Sequence, residues 1–266
     1  MLLEVTLLLL VVLLVLCRVE TPIQYSAKMF MFYFFCLFLA TVTLPLGLVR
    51  PFNPENHKVL SFIVPYLTKY ILGITVEVRD GHNSKLNKPF VLLLNHQSSL
   101  DAFIMMHIWP DRCVTIMKRV LMYVFPFGVT ATLFGCIFID RGNRNNAQSS
   151  LEHAGQELKN RNVQICMYPE GTRNRDGHIL PFKKGAFNLA VGAQVPLVPA
   201  TVSCYRNFYC KKENKFTDGK VIVRVLPEVS TEGKEYTDVL ELTEQIRNSM
   251  VKSYEEVSAE LGSKLS

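Results

Sequence analysis

Short apolar runs alternate with amphipathic segments along most of this chain. Runs of four to six residues predict strands at Ile74–Val78, Val91–Leu94, Cys113–Lys118, Ile137–Asp140, Val163–Met167, Leu197–Val202 and Val221–Val225. Helices are predicted at Pro54–Leu72, Ser98–Trp109, Ser150–Asn160 and Thr237–Leu261. Strands that are apolar throughout are typical of a sheet buried on both faces. The alternation therefore predicts an α/β fold with a mostly parallel sheet covered by helices on both faces.

Two longer apolar blocks precede this alternating region, at Leu2–Leu16 and Met29–Val49. The second block is long enough to cross a bilayer, which needs about 20 apolar residues, and the first is marginal. A signal peptide is the alternative for the first block, but it lacks a basic start and Cys17–Glu20 offers no small-residue cleavage site. We expect a membrane-embedded helical hairpin over residues 1–50, followed by one domain over residues 51–266. Two helices lying partly in one leaflet are the alternative arrangement.

Charge and cysteine usage suggest where the chain works. The net charge is +6, which favours anionic membrane faces and phosphate-bearing ligands. Four basic residues follow the second apolar block: Arg50, Lys58, Lys69 and Arg79. Their position favours a cytosolic domain by the positive-inside tendency. The seven cysteines include no Cys-x-x-Cys pair, which suits reduced thiols. Nucleic acid is not expected as a partner, because no basic helix, RNA-binding aromatic motif or zinc spacing is present.

The most informative polar segment is the heptad Asn95–Asp101, which directly follows a predicted strand. Residues five apart on an ideal helix point about 140° away from each other, so His96 and Asp101 cannot be neighbours on one helical face. We therefore expect His96 on the strand-to-helix turn and Asp101 in the first turns behind it. There Asp101 would accept the Nδ1 proton and leave Nε2 free as a general base. The alternative is a simple capping turn with a solvated histidine.

A second polar segment, Tyr168–Arg173, follows another predicted strand. It presents Glu170, a glycine turn at Gly171, the Thr172 hydroxyl and the Arg173 guanidinium together. Arginine suits phosphate because its rigid fork offers paired donors. Lys183 and Lys184 come shortly afterwards. A basic, solvated loop is the alternative interpretation of this segment.

Four blocks of the chain match, in order, the pattern of the glycerolipid acyltransferases. They are Asn95-His96 with Asp101, Gly135–Arg141, Pro169–Arg173 and Val195–Pro199. On the basis of these blocks, the chain resembles the animal lysophosphatidic acid acyltransferases within that family. The resemblance extends from about residue 20 onwards.

The resemblance implies a mechanism and its residues. His96 would act as general base, oriented by Asp101, in transferring an acyl group from acyl-CoA to the sn-2 hydroxyl of lysophosphatidic acid. Arg173, Arg141 and Lys118 would hold the acceptor's phosphate, with Glu170, Gly171 and Thr172 in the same binding loop. Glu170 would contact a glycerol hydroxyl or organise Arg173. A covalent route through Ser98 or Ser99 is disfavoured, because neither lies in a Gly-x-Ser-x-Gly elbow.

The same resemblance implies the partners and the compartment. Lysophosphatidic acid, acyl-CoA and the lipid bilayer are the expected partners, and the endoplasmic reticulum membrane is the expected location. No cofactor or metal is expected, since acyl-CoA is a co-substrate and no His-Glu-x-x-His motif occurs. The alternative acceptor is another lysophospholipid or glycerol-3-phosphate. A lipid hydrolase and a non-catalytic lipid-binding protein are the competing function classes.

Overall fold

Nine strands are found in the computed structural model, which describes residues 12–13, 15–19, 21–140 and 154–263. They are β1 Ile74–Arg79, β2 Val91–Leu94, β3 Cys113–Lys118, β4 Ile137–Ile139, β5 Gln164–Met167, β6 Leu197–Val202, β7 Tyr209–Cys210, β8 Lys215–Phe216 and β9 Gly219–Val225. Seven of them form one sheet in the order β1-β9-β6-β2-β5-β3-β4, while β7 and β8 pair separately. The strands from β6 to β4 in this order are parallel. Only the β6–β9 junction of the large sheet is antiparallel, so the predicted mostly parallel sheet is confirmed.

Six α-helices that lie wholly within the described residues accompany the sheet. They are α1 Gln24–Val49, α2 His57–Tyr70, α3 Asp101–Ile104, α4 Phe127–Leu133, α5 Gly185–Ala193 and α6 Val239–Ala259. Residues 154–160 are also helical.

The sheet separates two hydrophobic cores, because successive side chains of each strand point to opposite faces. In the central strand β2, Val91 and Leu93 lie in one cluster with residues of α5 and α6. Leu92 and Leu94 lie in the other, with residues of α1 and α2. All four β2 side chains are buried. The uniformly apolar sequence of β2 therefore reflects helices on both faces of the sheet.

Helix α1 packs along the domain rather than standing apart from it. Near its start, buried Lys28 lies 2.6 Å from the Asp218 carboxylate, which follows β8. In the middle, the Phe32 and Phe103 rings are 4.8 Å apart. The Ala40 carbonyl then accepts a 2.8 Å hydrogen bond from Thr130 of α4. The helix is long and apolar enough to cross a membrane by length and composition. The expected hairpin partner, Leu2–Leu16, lies largely outside the described residues.

The helices differ from the prediction at three places. The helix expected over Ser98–Trp109 is only the short α3, followed by a 3-10 turn at Met105–Ile108. It begins late because the Asp101 side chain binds the preceding backbone amides, and it ends before Pro110, whose ring disfavours helical geometry at Trp109. Helices α4 and α5 were not predicted. Most α5 side chains are buried, so its sequence shows no polar face to mark a helical period.

Candidate active site

His96 and Asp101 meet at the carboxyl end of β2. The Nδ1 atom of His96 lies 2.7 Å from Oδ2 of Asp101. A carboxylate only accepts, so Nδ1 carries the proton and Nε2 presents a lone pair. No described residue hydrogen-bonds Nε2. The Asp101 side chain is 4% exposed and that of His96 is 17% exposed, which leaves the ring open on one side. This arrangement can accept a proton from a hydroxyl group at Nε2.

The turn between His96 and Asp101 is held by the same carboxylate. Oδ2 of Asp101 also accepts hydrogen bonds from the backbone amides of Gln97, at 2.7 Å, and Ser98, at 3.0 Å. The Ser98 hydroxyl accepts a further bond from the Leu100 amide. Ser98 is thus occupied with the turn, which argues against a nucleophilic role for it.

The second polar segment and the residue that follows it form hydrogen bonds with both the amide and the carbonyl of His96. Buried Glu170 accepts the His96 amide at 2.7 Å through Oε1, and the Leu180 amide at 3.0 Å through Oε2. The His96 carbonyl accepts the Asn174 amide at 2.8 Å. Burial raises the pKa of Glu170 to about 7, although the hydrogen bonds from the two amides act in the opposite direction. The geometry therefore engages both oxygens of Glu170 in positioning the catalytic turn.

Two tyrosines contact the turn between His96 and Asp101. The Tyr168 ring stacks on the His96 ring with centroids 4.0 Å apart, and its hydroxyl donates to the Met105 sulfur at 3.2 Å. From α1, the Tyr33 hydroxyl lies 3.3 Å from the Ser99 hydroxyl. The sequence drew attention to the Tyr168 segment but gave neither tyrosine a role, because stacking across elements leaves no local pattern.

Several cationic residues lie at this edge of the sheet or close to the Gly171 turn. Arg173 and Thr172 are exposed just after the Gly171 turn, where the backbone has a φ of +70°. The Lys183 side chain lies directly over Gly171, with Nζ 3.0 Å from the position a Cβ would take. Lys118 ends β3 at the same edge of the sheet. Arg141 lies outside the described residues.

An apolar cavity begins immediately behind Asp101. Its walls include Ala102, Phe103 and Met105, together with side chains of α1, α2 and α4. Its volume is about 120 Å³, and it is partly open to solvent. Burial lowers the pKa of the one histidine in its wall, His57, to about 4, so the lining is uncharged at neutral pH. The contact of Tyr168 with Met105 connects this cavity to the His96 ring.

The described part of the chain contains no group of three or more metal-ligating side chains. All seven cysteines are free.

Comparison with known proteins gives consistent findings. An acyltransferase family model matches residues 75–203, which include both polar segments. The 1-acyl-sn-glycerol-3-phosphate acyltransferase alpha of Bos taurus is 45% identical over 237 residues, or 89% of this chain and 82% of that protein. The Homo sapiens protein of the same name is 45% identical over 89% of this chain and 83% of its own length. A putative 1-acyl-sn-glycerol-3-phosphate acyltransferase, acl-2 of Caenorhabditis elegans, is 39% identical over 95% of this chain and 89% of its own.

A solved structure shares the fold. The crystal structure of the 1-acyl-sn-glycerophosphate (LPA) acyltransferase PlsC from Thermotoga maritima aligns with a TM-score of 0.71, covering 92% of this chain and 98% of that one. Sequence identity is 23%, so this likeness concerns the fold alone.

Proposed function

The chain belongs to the 1-acyl-sn-glycerol-3-phosphate acyltransferase family, and from this premise we propose that it transfers a fatty acyl group from acyl-CoA to the sn-2 hydroxyl of lysophosphatidic acid. The products are phosphatidic acid and CoA. The observation that carries the proposal is the His96–Asp101 contact of 2.7 Å, in a fixed turn with Nε2 unoccupied by described residues. The names of the relatives support lysophosphatidic acid as the acceptor.

In the proposed reaction, Nε2 of His96 takes the proton of the acceptor hydroxyl as its oxygen attacks the thioester carbonyl. Asp101 stabilises the imidazolium that forms. The carbon–sulfur bond then breaks, the ester forms, and the proton passes from His96 to the CoA thiolate. The transfer is direct, which agrees with the engagement of Ser98 in the turn.

The acceptor's phosphate is proposed to bind at Arg173, with Arg141 and Lys118 contributing. The exposure of Arg173 beside the catalytic turn supports this assignment. Lys183 is added to the set, because its ammonium lies over the Gly171 turn that presents Arg173. The proposal requires that a phosphate bound by these cations leave the sn-2 oxygen of the same molecule within reach of the His96 ring.

The apolar cavity is proposed to hold the fatty acyl chain. It starts one residue beyond Asp101 and lies among apolar side chains, so a thioester carbonyl near His96 has an adjacent space for its chain. Burying methylene groups there contributes about 0.8 kcal/mol each.

We propose that α1 lies in one leaflet rather than crossing the bilayer. Lys28 and Gly47 are about 28 Å apart along the helix, nearly the thickness of a hydrocarbon core. Both residues contact the catalytic domain, Lys28 through Asp218 and Gly47 through Leu133. A crossing helix with these contacts would carry the charged domain into the membrane.

The outward-facing surface supports the same arrangement. Large apolar side chains are exposed along α1, on α2 and in the segment between β3 and α4. They are Phe30, Phe34, Leu37, Phe38, Leu48, Phe62, Tyr66, Tyr70, Val120, Tyr123 and Phe125. Lys118 and Arg119 border this surface and suit anionic headgroups. An endoplasmic reticulum location with a cytosolic catalytic domain rests on the family and on the cations that follow α1.

The decisive experiment measures acyl transfer from labelled oleoyl-CoA by the purified protein across a panel of acceptors. We expect transfer to lysophosphatidic acid, and less or none to other lysophospholipids or glycerol-3-phosphate. The His96→Ala variant should remain folded and lose about 10²- to 10⁴-fold in rate. Release of free fatty acid without an acceptor would indicate a hydrolase, and unchanged turnover in the variant would overturn the mechanism.

A further inference from the structure

Tyr205 lies beside the catalytic carboxylate, just beyond the end of β6. The residue is 3% exposed, and burial, together with the nearby Asp101 carboxylate, raises the pKa of its hydroxyl. Neither the motif pattern nor the proposed mechanism uses this residue. Its position so close to Asp101 therefore calls for a physical explanation.

The two oxygens of Asp101 are used unequally. Oδ2 accepts from the His96 ring and from the amides of Gln97 and Ser98. Oδ1 is buried and has no hydrogen-bond partner among the described residues. The buried Tyr205 hydroxyl likewise has no partner there. Buried polar groups are nearly always hydrogen-bonded, so an adjacent donor and acceptor with no other partner form a natural pair.

The position of Tyr205 is fixed from both sides of His96. The Asn95 side chain exchanges two hydrogen bonds with the backbone of Val202, at 3.0 and 2.7 Å. The Gln97 side chain donates through Nε2 to the carbonyls of Val202 and Ser203, and its Oε1 accepts a hydrogen bond from the backbone amide of Tyr205. The residues that flank His96 therefore attach the end of β6 to the catalytic turn.

We propose that Tyr205 is a positioning residue whose hydroxyl donates a hydrogen bond to Oδ1 of Asp101. This bond holds the plane of the carboxylate with Oδ2 toward His96, and it compensates the buried negative charge that stabilises the imidazolium. Because Tyr205 is buried, its proposed effect reaches the reaction through Asp101 rather than through contact with substrate. The inference rests on the proposed function, in which His96 and Asp101 act together.

The first test compares Tyr205→Phe with Tyr254→Phe. Tyr254 is also buried, at 2% exposure, but lies on α6 beside Cys204. Tyr205→Phe should lower kcat about tenfold, the effect of one hydrogen bond to a charged group, with the KM of both substrates within about twofold. Tyr254→Phe should keep kcat within about twofold of the wild-type value, which is small compared with the tenfold loss expected for Tyr205→Phe. A wild-type kcat in Tyr205→Phe, or a change confined to KM, would overturn the proposal.

A double-mutant cycle separates positioning from general stability. In an Asp101→Ala background the acceptor of the proposed bond is gone, so adding Tyr205→Phe should change the residual rate by less than about twofold. An equal loss in both backgrounds would indicate a structural role and contradict the inference. If Tyr205→Phe unfolds, site-specific 3-fluorotyrosine at position 205 keeps the shape and the hydroxyl and should retain kcat within about threefold. Loss of folding and of kcat in that protein also counts against the proposal.

The proposed function has a separate point of failure. If His96→Ala retains the wild-type rate, the general-base mechanism fails whatever Tyr205 does. If His96→Ala is inactive while Tyr205→Phe is fully active, only the role of Tyr205 is lost.

Discussion

At the scale of single residues, Arg173 offers the clearest separation of binding from chemistry. Arg173→Lys keeps the charge but removes the paired donors, so the KM for lysophosphatidic acid should rise while that for acyl-CoA stays nearly constant. Arg173→Ala should weaken acceptor binding further, by about 2 to 3 kcal/mol. Steady-state kinetics with each substrate varied in turn measure both effects. A rise only in the KM for acyl-CoA would assign Arg173 to the phosphates of CoA instead.

Lys183 and Lys184 form a matched pair for a second residue-level prediction. Both are exposed, but only Lys183 is found lying over Gly171. Lys183→Ala should raise the KM for lysophosphatidic acid about 3- to 10-fold, as expected for one charge contact to phosphate. Lys184→Ala should leave it unchanged, and the difference should shrink at high salt. Equal effects of the two substitutions on the KM for lysophosphatidic acid would mean that the acceptor is attracted by the overall positive charge and not by a specific contact with Lys183.

Glu170 predicts a pH dependence of stability. Burial raises its pKa from 4.5 to about 7, so the folded protein prefers the protonated carboxyl. The contribution of the protonated Glu170 carboxyl to the free energy of unfolding is fully present below about pH 4.5, and it is lost as the pH rises through about 7. The free energy of unfolding of the wild type, minus that of Glu170→Gln, should therefore fall by about 2 to 3 kcal/mol between pH 5 and pH 8. Denaturant unfolding in micelles measures this, and a difference that does not vary with pH would contradict it.

At the scale of elements, the cavity between α1, α2 and α4 should set the accepted acyl length. Ala131 of α4 lines it, so Ala131→Leu should fill part of the space. The kcat/KM for oleoyl-CoA should then fall about 10- to 100-fold relative to octanoyl-CoA, equivalent to two to four unburied methylenes. Ala193→Leu, equally buried on the other face of the sheet, should leave the ratio unchanged. An unaltered ratio in Ala131→Leu would place the chain elsewhere.

The strands could be predicted from sequence more accurately than the helices. β2, β3 and β6 have the predicted bounds, because a uniformly apolar run between polar turns indicates a buried strand directly. The five-residue spacing of His96 and Asp101 also indicated a turn followed by a helix start. The hydrogen bonds of Glu170 and Asn174 with the His96 backbone had no sequence signal, since they join segments more than seventy residues apart. The place of Tyr205 was invisible for the same reason.

At the scale of the whole molecule, helix and domain form one body. Phe32 and Leu39 of α1 belong to the core cluster that also contains Leu92 and Leu94 of β2. The Tyr33 contact with Ser99 brings α1 to the turn that follows His96. If α1 lies in one leaflet, as proposed, a lipid acceptor in that leaflet would meet the His96 ring without leaving the membrane surface. The proposal therefore requires that α1 lie parallel to the membrane plane.

Quenching by brominated lipids tests that orientation. Single tryptophans replace Phe30, Phe38 or Leu48, which are exposed on α1, in vesicles of phosphatidylcholine with phosphatidylserine. An in-plane helix predicts that bromine near the headgroup quenches all three similarly. A crossing helix predicts that bromine near the chain end quenches Phe38→Trp best, because that position would lie near the bilayer centre. Trp109 gives the same background in every variant and is subtracted with the parent protein. Tyr236→Trp serves as the control, because Tyr236 is exposed and is far in sequence from the residues of the apolar surface. Its fluorescence should not be quenched by either lipid.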